Sequence, residues 1–201
     1  MLQYAPVVAQ ATATVADPAV RHRGTFGGAL AHADPAGDLP AVALAADASF
    51  VIEGPDGRRT VPAAEFFSDY LETAVGPGEL LVEIRVPKLG PGWGTAYEKF
   101  NRVAQAWAIV GVAALVRREG DTIAEARVGL TNMGPTPLRA AGTEARLAGG
   151  SVHDGAIADA AKLAADDTEP SGDLSAQPDY RQHLARVLTG RALTAALAAA
   201  T

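Results

Sequence analysis

The stretch from Trp107 to Thr131 constrains the fold more than any other. Trp107 to Arg118 is apolar almost throughout, Glu119-Gly120-Asp121 is a polar turn, and Thr122 to Thr131 continues in near-alternation. Two long runs of this kind around a Gly-containing turn predict an antiparallel hairpin. The flanking segments have other grammars. Before it lie short strands at Ser49–Glu53, Arg58–Val61, Leu80–Val86 and Gly94–Phe100, with Gly54-Pro55-Asp56-Gly57 as a tight turn. After it, Gly134-Pro135-Thr136-Pro137 breaks the pattern. Helices are then predicted at Ala140–Leu147, Val152–Ala165 and Asp179–Ala199, with a polar linker at Asp166–Pro178. Helices are also expected at Leu2–Val15 and Leu39–Ala48, and a helical turn at Glu65–Tyr70. The fold class is α+β. Lys88-Leu89-Gly90-Pro91-Gly92 is the candidate boundary between residues 1–89 and 90–201.

Composition narrows the chemistry. The 201 residues carry a formal net charge of −6, which argues against nonspecific binding to nucleic acid. No cysteine is present, so a disulfide framework, a thiol nucleophile and an Fe–S cluster held by this chain are excluded. No run of about 18 apolar residues suggests a transmembrane helix, and a cytoplasmic location is the expectation. Neither a metal site nor a Ser-His-Asp arrangement is supported by the spacing of the four histidines.

The most informative local motif is Arg21-His22-Arg23-Gly24-Thr25-Phe26-Gly27-Gly28-Ala29. Glycines let the backbone approach a ligand, and successive N–H groups in such a turn suit a phosphate. A tight structural turn fits the same residues. The motif is neither a P-loop nor a Rossmann fingerprint. Asp38 fits either a hydroxyl acceptor or the N-cap of the following helix. Lys99, between Glu98 and Phe100, reads as a solvated edge residue. Trp107, at the start of the apolar run, reads as core.

The segment Asp17 to Ala41, with Pro77–Pro87, Ala96-Tyr97-Glu98-Lys99-Phe100, Val128-Gly129-Leu130-Thr131-Asn132 and the Tyr180-Arg181 helix, resembles the FAD-binding medium subunit of molybdenum hydroxylases. The carbon monoxide dehydrogenase type is most similar, and xanthine dehydrogenase has a related domain. The resemblance spans essentially the full chain. It implies a partial FAD-binding domain of the vanillyl-alcohol-oxidase-like type, then a smaller domain with an antiparallel sheet and a helix cluster. It also implies cofactor contacts. Gly24, Thr25, Phe26, Gly27, Gly28 and Ala29 match the second FAD loop, where relatives usually end in Asn or Ser rather than Ala29. Asp38 matches an acidic residue at the cofactor's sugar portion. Leu81 or its neighbour Leu80 falls near the isoalloxazine, Lys99 near the flavin, and Trp107 at an aromatic that stacks on the ring.

Family members begin with roughly 80 more residues, judged from domain sizes. The first FAD loop, an Ala-Gly-Gly-x-Ser-like segment, is expected there. Two roles follow from the resemblance. One is a redox subunit that passes electrons from Fe–S clusters of a small 2Fe–2S partner through FAD to an external acceptor. A large molybdopterin-binding partner would carry the molybdenum cofactor, and the isolated chain would be inactive. The other is a truncated, non-catalytic remnant or assembly subunit that holds FAD weakly or not at all.

Overall fold

The computed structural model describes residues 3–201, so the expected helix start at Leu2 lies outside the described residues. Four helices come first: α1 (Pro6–Thr14), α2 (Pro18–Arg23), α3 (Phe26–His32) and α4 (Asp38–Ala45). Next come β1 (Ser49–Gly54), β2 (Gly57–Pro62), α5 (Ala63–Phe66), β3 (Phe67–Asp69), β4 (Glu72–Thr73) and β5 (Leu80–Arg85). The large sheet uses β6 (Trp93–Phe100), β7 (Val110–Glu119), β8 (Thr122–Thr131), β9 (Leu138–Arg139) and β10 (Gly150–Ser151). Helices α6 (Ala141–Leu147), α7 (Asp154–Ala161) and α8 (Pro178–Ala199) complete the chain.

The expected hairpin is β7–β8, paired antiparallel from Gly111↔Thr131 to Glu119↔Thr122, with Gly120 in the left-handed region at φ 60°. It forms the centre of the five-stranded sheet β10-β8-β7-β6, in which β9 also pairs with β8. Its continuous apolarity has a physical cause, because both faces are covered. Val110, Val112, Ala114 and Val116 pack toward Leu184, Leu188 and Leu193 of α8. Ala113 and Leu115 point the other way, into Val7 and Val8 of α1 and Leu39 and Val42 of α4. Glycine permits the closest approaches. A Cβ on Gly94 would stand 1.9 Å from Ala196 O of α8, and one on Gly129 would stand 2.2 Å from Ala41 O of α4.

Helix α4 joins the two halves of the structure. All eight of its residues are buried. Leu39, Val42 and Ala45 meet the large sheet, while Ala43 and Leu44 face the small antiparallel sheet β2-β1-β5 and its Phe50–Phe66–Phe67 cluster. From Leu39 onward the helix is apolar all round, as befits one enclosed on all sides. Helices that precede the Lys88–Gly92 segment in sequence thus close over the sheet that follows it.

Several elements differ from expectation. The first helix is shorter, and Arg21–Arg23 belong to α2, which is capped by Asp17 accepting from Val20 N. The Glu65–Tyr70 turn is α5 followed by the small β3–β4 pair. Helix α7 ends at Ala161, short of Ala165. The polar linker is held by Arg181, whose side chain is 1% exposed. Its guanidinium donates to Ile109 O and, at 2.7 Å, to Asp173 Oδ2.

Candidate functional site

The chain from Asp17 to Asp38 builds one wall of a cleft of about 830 Å³. That volume falls within the roughly 300–1,000 Å³ range of cofactor and small-molecule sites. The Gly-rich segment is a helix start rather than a turn. Gly24 terminates α2, Thr25 is the N-cap of α3, and Gly28 N donates to Thr25 Oγ1 at 2.9 Å. The cap and the burial of Leu30 overcome the poor helix propensity of the paired glycines. The N–H groups of Phe26 and Gly27 have no acceptor among the described residues, as expected of a first turn. A Cβ on Gly28 would stand 2.9 Å from Thr25 Oγ1 and disturb the cap, whereas one on Gly27 would meet only Ile84 Cδ1 at 3.8 Å.

Asp38 does not cap α4. The cap is Gly37, and Asp38 is the first helical residue. Its carboxylate is 4% exposed, and each oxygen accepts one side-chain hydrogen bond. Tyr97 Oη donates to Oδ1 at 2.6 Å and Lys99 Nζ to Oδ2 at 2.8 Å. Lys99 is no solvated edge residue. Its side chain is 5% exposed and also donates to Thr14 O at 3.2 Å. Burial pushes the Asp38 carboxyl up from its ordinary value, while Lys99 and Tyr97 pull it down. Burial, reinforced by the Asp38 charge, holds the Tyr97 phenol well above its usual range.

The opposite wall comes from the loop between β6 and β7, with Gln105, Ala106 and Trp107. Trp107 is not core. Strand β7 begins at Val110, and the indole is 59% exposed at the cleft. Val8, Val15, Phe26 and Leu39 make the cleft's apolar part. Arg21 lies at its edge and holds the α1–α2 link by donating from Nη1 to Val15 O at 2.6 Å and to Ala16 O at 3.0 Å. Arg23 also lines the cleft.

Eight of the residues anticipated from sequence therefore line one cleft: Gly24, Thr25, Phe26, Gly28, Ala29, Asp38, Lys99 and Trp107. Two do not. Gly27 turns toward β5, and Leu81 packs on the cluster around Phe50. Sequence reasoning missed Tyr97, although its spacing held a signal. Tyr97 and Lys99 are two apart on a strand and so share a face. Nothing local marked Asp38, 59 and 61 residues away, as their common partner. Among the described residues no group of side chains is arranged to hold a metal ion.

Comparison with known proteins gives the class. Residues 1–89 match the FAD binding domain in molybdopterin dehydrogenase, and residues 95–196 match the CO dehydrogenase flavoprotein C-terminal domain. The chain belongs to this family of flavoprotein subunits. It is 45% identical over 193 residues to the carbon monoxide dehydrogenase medium chain of Hydrogenophaga pseudoflava, covering 96% of this chain and 67% of that one. It is 35% identical to the medium chain of Afipia carboxidovorans, covering 97% and 68%. In structure it superposes on carbon monoxide dehydrogenase from Hydrogenophaga pseudoflava lacking the Mo-pyranopterin moiety, with TM-score 0.97 and 44% identity over 100% of this chain and 70% of that one. Quinoline 2-oxidoreductase from Pseudomonas putida 86 gives TM-score 0.92 at 30% identity, covering 99% and 69%. The chain thus spans about two thirds of the length of these relatives.

Proposed function

We propose that this chain is the FAD-holding, electron-transfer subunit of a molybdenum-containing hydroxylase or dehydrogenase complex. In that complex it stands between 2Fe–2S clusters on a small partner subunit and an external electron acceptor. A large partner subunit carries the molybdopterin cofactor, and a cytoplasmic location belongs to the same reading. The observation that carries it is the single cleft lined by the α3 start, the Asp38–Lys99 pair and Trp107. These donors fit FAD, an elongated ligand with an anionic diphosphate, hydroxyl groups and a planar ring. The capped start of α3 and Arg23 favour the anionic part, Asp38 and Lys99 offer an acceptor and a donor for hydroxyl or carbonyl groups, and the exposed face of Trp107 offers a stacking surface.

When bound, the flavin supplies the redox chemistry, and the chain supplies position and electrostatics. The lack of cysteine accords with clusters held elsewhere. The choice of substrate is assigned to the large partner. Relatives of this chain include subunits named for carbon monoxide, 6-hydroxypseudooxynicotine and glyceraldehyde dehydrogenases, at 45, 35 and 33% identity. One flavoprotein plan therefore accompanies substrates of different chemistry. The remnant reading is not favoured, since the matched relatives are named as enzyme subunits and the cleft residues are assembled.

The test is flavin content. The chain is purified with its two partner subunits, and released flavin is counted by absorbance. One FAD per chain is expected, with quenched flavin fluorescence. A flavin-free complex that takes up no FAD at tens of micromolar refutes the reading.

A further inference from the structure

Asn132 connects the two walls of the cleft without lining it. It follows the last residue of β8 in the left-handed region, at φ 63°, a conformation that asparagine tolerates better than most residues. That twist sends its two donors to different segments. The backbone N–H reaches Pro35 O at 2.8 Å, in the turn that leads to Asp38. The side-chain Nδ2 reaches Ala108 O at 2.8 Å, one residue beyond Trp107. Its neighbours Thr131 and Met133 are fully buried, so the base of this bracket is fixed in the core. By contrast, the loop it holds carries Val103 at 64% and Trp107 at 59% exposure. The other bonds on that loop are Ala106 N to Val103 O, Ile109 N to Phe100 O, Asn101 Nδ2 to Val103 O and, at its base, Arg181 Nη1 to Ile109 O.

We propose that Asn132 is a positioning residue of the cofactor cleft, setting the separation of Trp107 from the Asp34–Asp38 wall through its paired bonds to Ala108 O and Pro35 O. The proposal rests on the FAD reading above for its ligand, but the placement of Trp107 is measurable without one. Replacing Asn132 with Gly keeps the left-handed backbone and its N–H while deleting Nδ2. The loop then loses its anchor at Ala108, next to Trp107, and keeps that of Arg181 at Ile109.

The experiment compares the wild type, Asn132→Gly, Trp107→Phe and the double variant in the assembled complex. Trp107 emission, FAD affinity and Tm are read for each. Trp93 is the other tryptophan, so Trp107→Phe gives its background. Asn132→Gly is expected to shift Trp107 emission and to weaken FAD binding about tenfold, the scale of one hydrogen bond. In the double variant FAD affinity should equal that of Trp107→Phe alone, because Asn132 acts through the indole. A purely structural Asn132 would lower Tm with emission and affinity unchanged, and that result overturns the proposal; so does full additivity. If Asn132→Gly does not fold, Asn132→Asp takes its place, since it sets an oxygen against Ala108 O with the same size and backbone tolerance. If the wild type takes no FAD, the cofactor reading fails, while the emission shift still decides the placement of Trp107.

Discussion

Replacing Lys99 with Met leaves the Asp38 carboxylate buried beside Tyr97 alone. The two charged side chains are 5% and 4% exposed, so little water can replace the ammonium. Breaking one side of a buried pair costs about 3–5 kcal/mol. For a chain of this size that is a fall in Tm of about 6–20 °C. The loss depends on pH with a definite sign. Burial already raises the Asp38 carboxyl above its ordinary value, and Lys99 is among the groups that pull it down. Without Lys99 it rises further. A carboxyl raised in the folded state contributes stability that is fully present below its unfolded pKa and is lost as pH rises through the folded one. The variant's deficit therefore narrows as pH falls and Asp38 takes up its proton, and widens toward alkaline pH. Circular dichroism melts at pH 5 and pH 8 measure this. Asp38→Asn combined with Lys99→Met should recover much of the loss, because no uncompensated charge remains. A deficit equal at both pH values, or a double variant no better than the single, refutes the electrostatic account.

Three further outcomes follow from the geometry. Gly28→Val should abolish FAD uptake by displacing the Thr25 cap, whereas Gly27→Ala, whose Cβ would meet only Ile84 Cδ1 at an ordinary contact distance of 3.8 Å, should retain it; equal flavin content in both variants would remove the α3 start from the site. Gly94→Ala drives a Cβ into the backbone of α8 at Ala196 and should destabilise the fold by about 3 kcal/mol or more, visible as loss of soluble protein or a lowered denaturation midpoint. Glu79 accepts from Arg59 and from Gly76 N, and Arg59 first of all lowers its carboxyl to about 2. An NMR titration should place Glu79 there and return it toward 4.5 in Arg59→Ala; an unmoved midpoint would show that the ion pair is not formed in solution.

Much of the local architecture was legible because it rests on short-range physics. The β7–β8 hairpin follows from two apolar runs about a Gly turn, and β1–β2 from Gly54-Pro55-Asp56-Gly57, with Gly57 at φ 105°. The long last helix was placed within a residue of its observed start. Misreadings fell where tertiary contacts outweigh local preference. Gly27-Gly28 reads as a turn until Thr25 caps α3. Lys99 reads as an edge residue until Asp38 is found beneath it. Trp107 reads as core because it adjoins an apolar run, yet β7 starts three residues later and leaves the indole in the loop.

By itself the sequence determined the α+β class, the lack of any thiol in these 201 residues, the family resemblance and the segments that carry the cleft's residues. These depend on composition, on periodicity and on motifs whose members are neighbours in the chain. Only the tertiary structure decided that α4 is shared between two sheets, and that Asp38, Tyr97 and Lys99 form one buried group. The same holds for Asn132, which joins the Pro35 turn to the Trp107 loop. Those pairings link residues far apart in sequence, and no local propensity encodes the partner of a side chain 61 positions away. Packing α4 between the sheets brings them together, and the low dielectric it creates makes each missing partner costly.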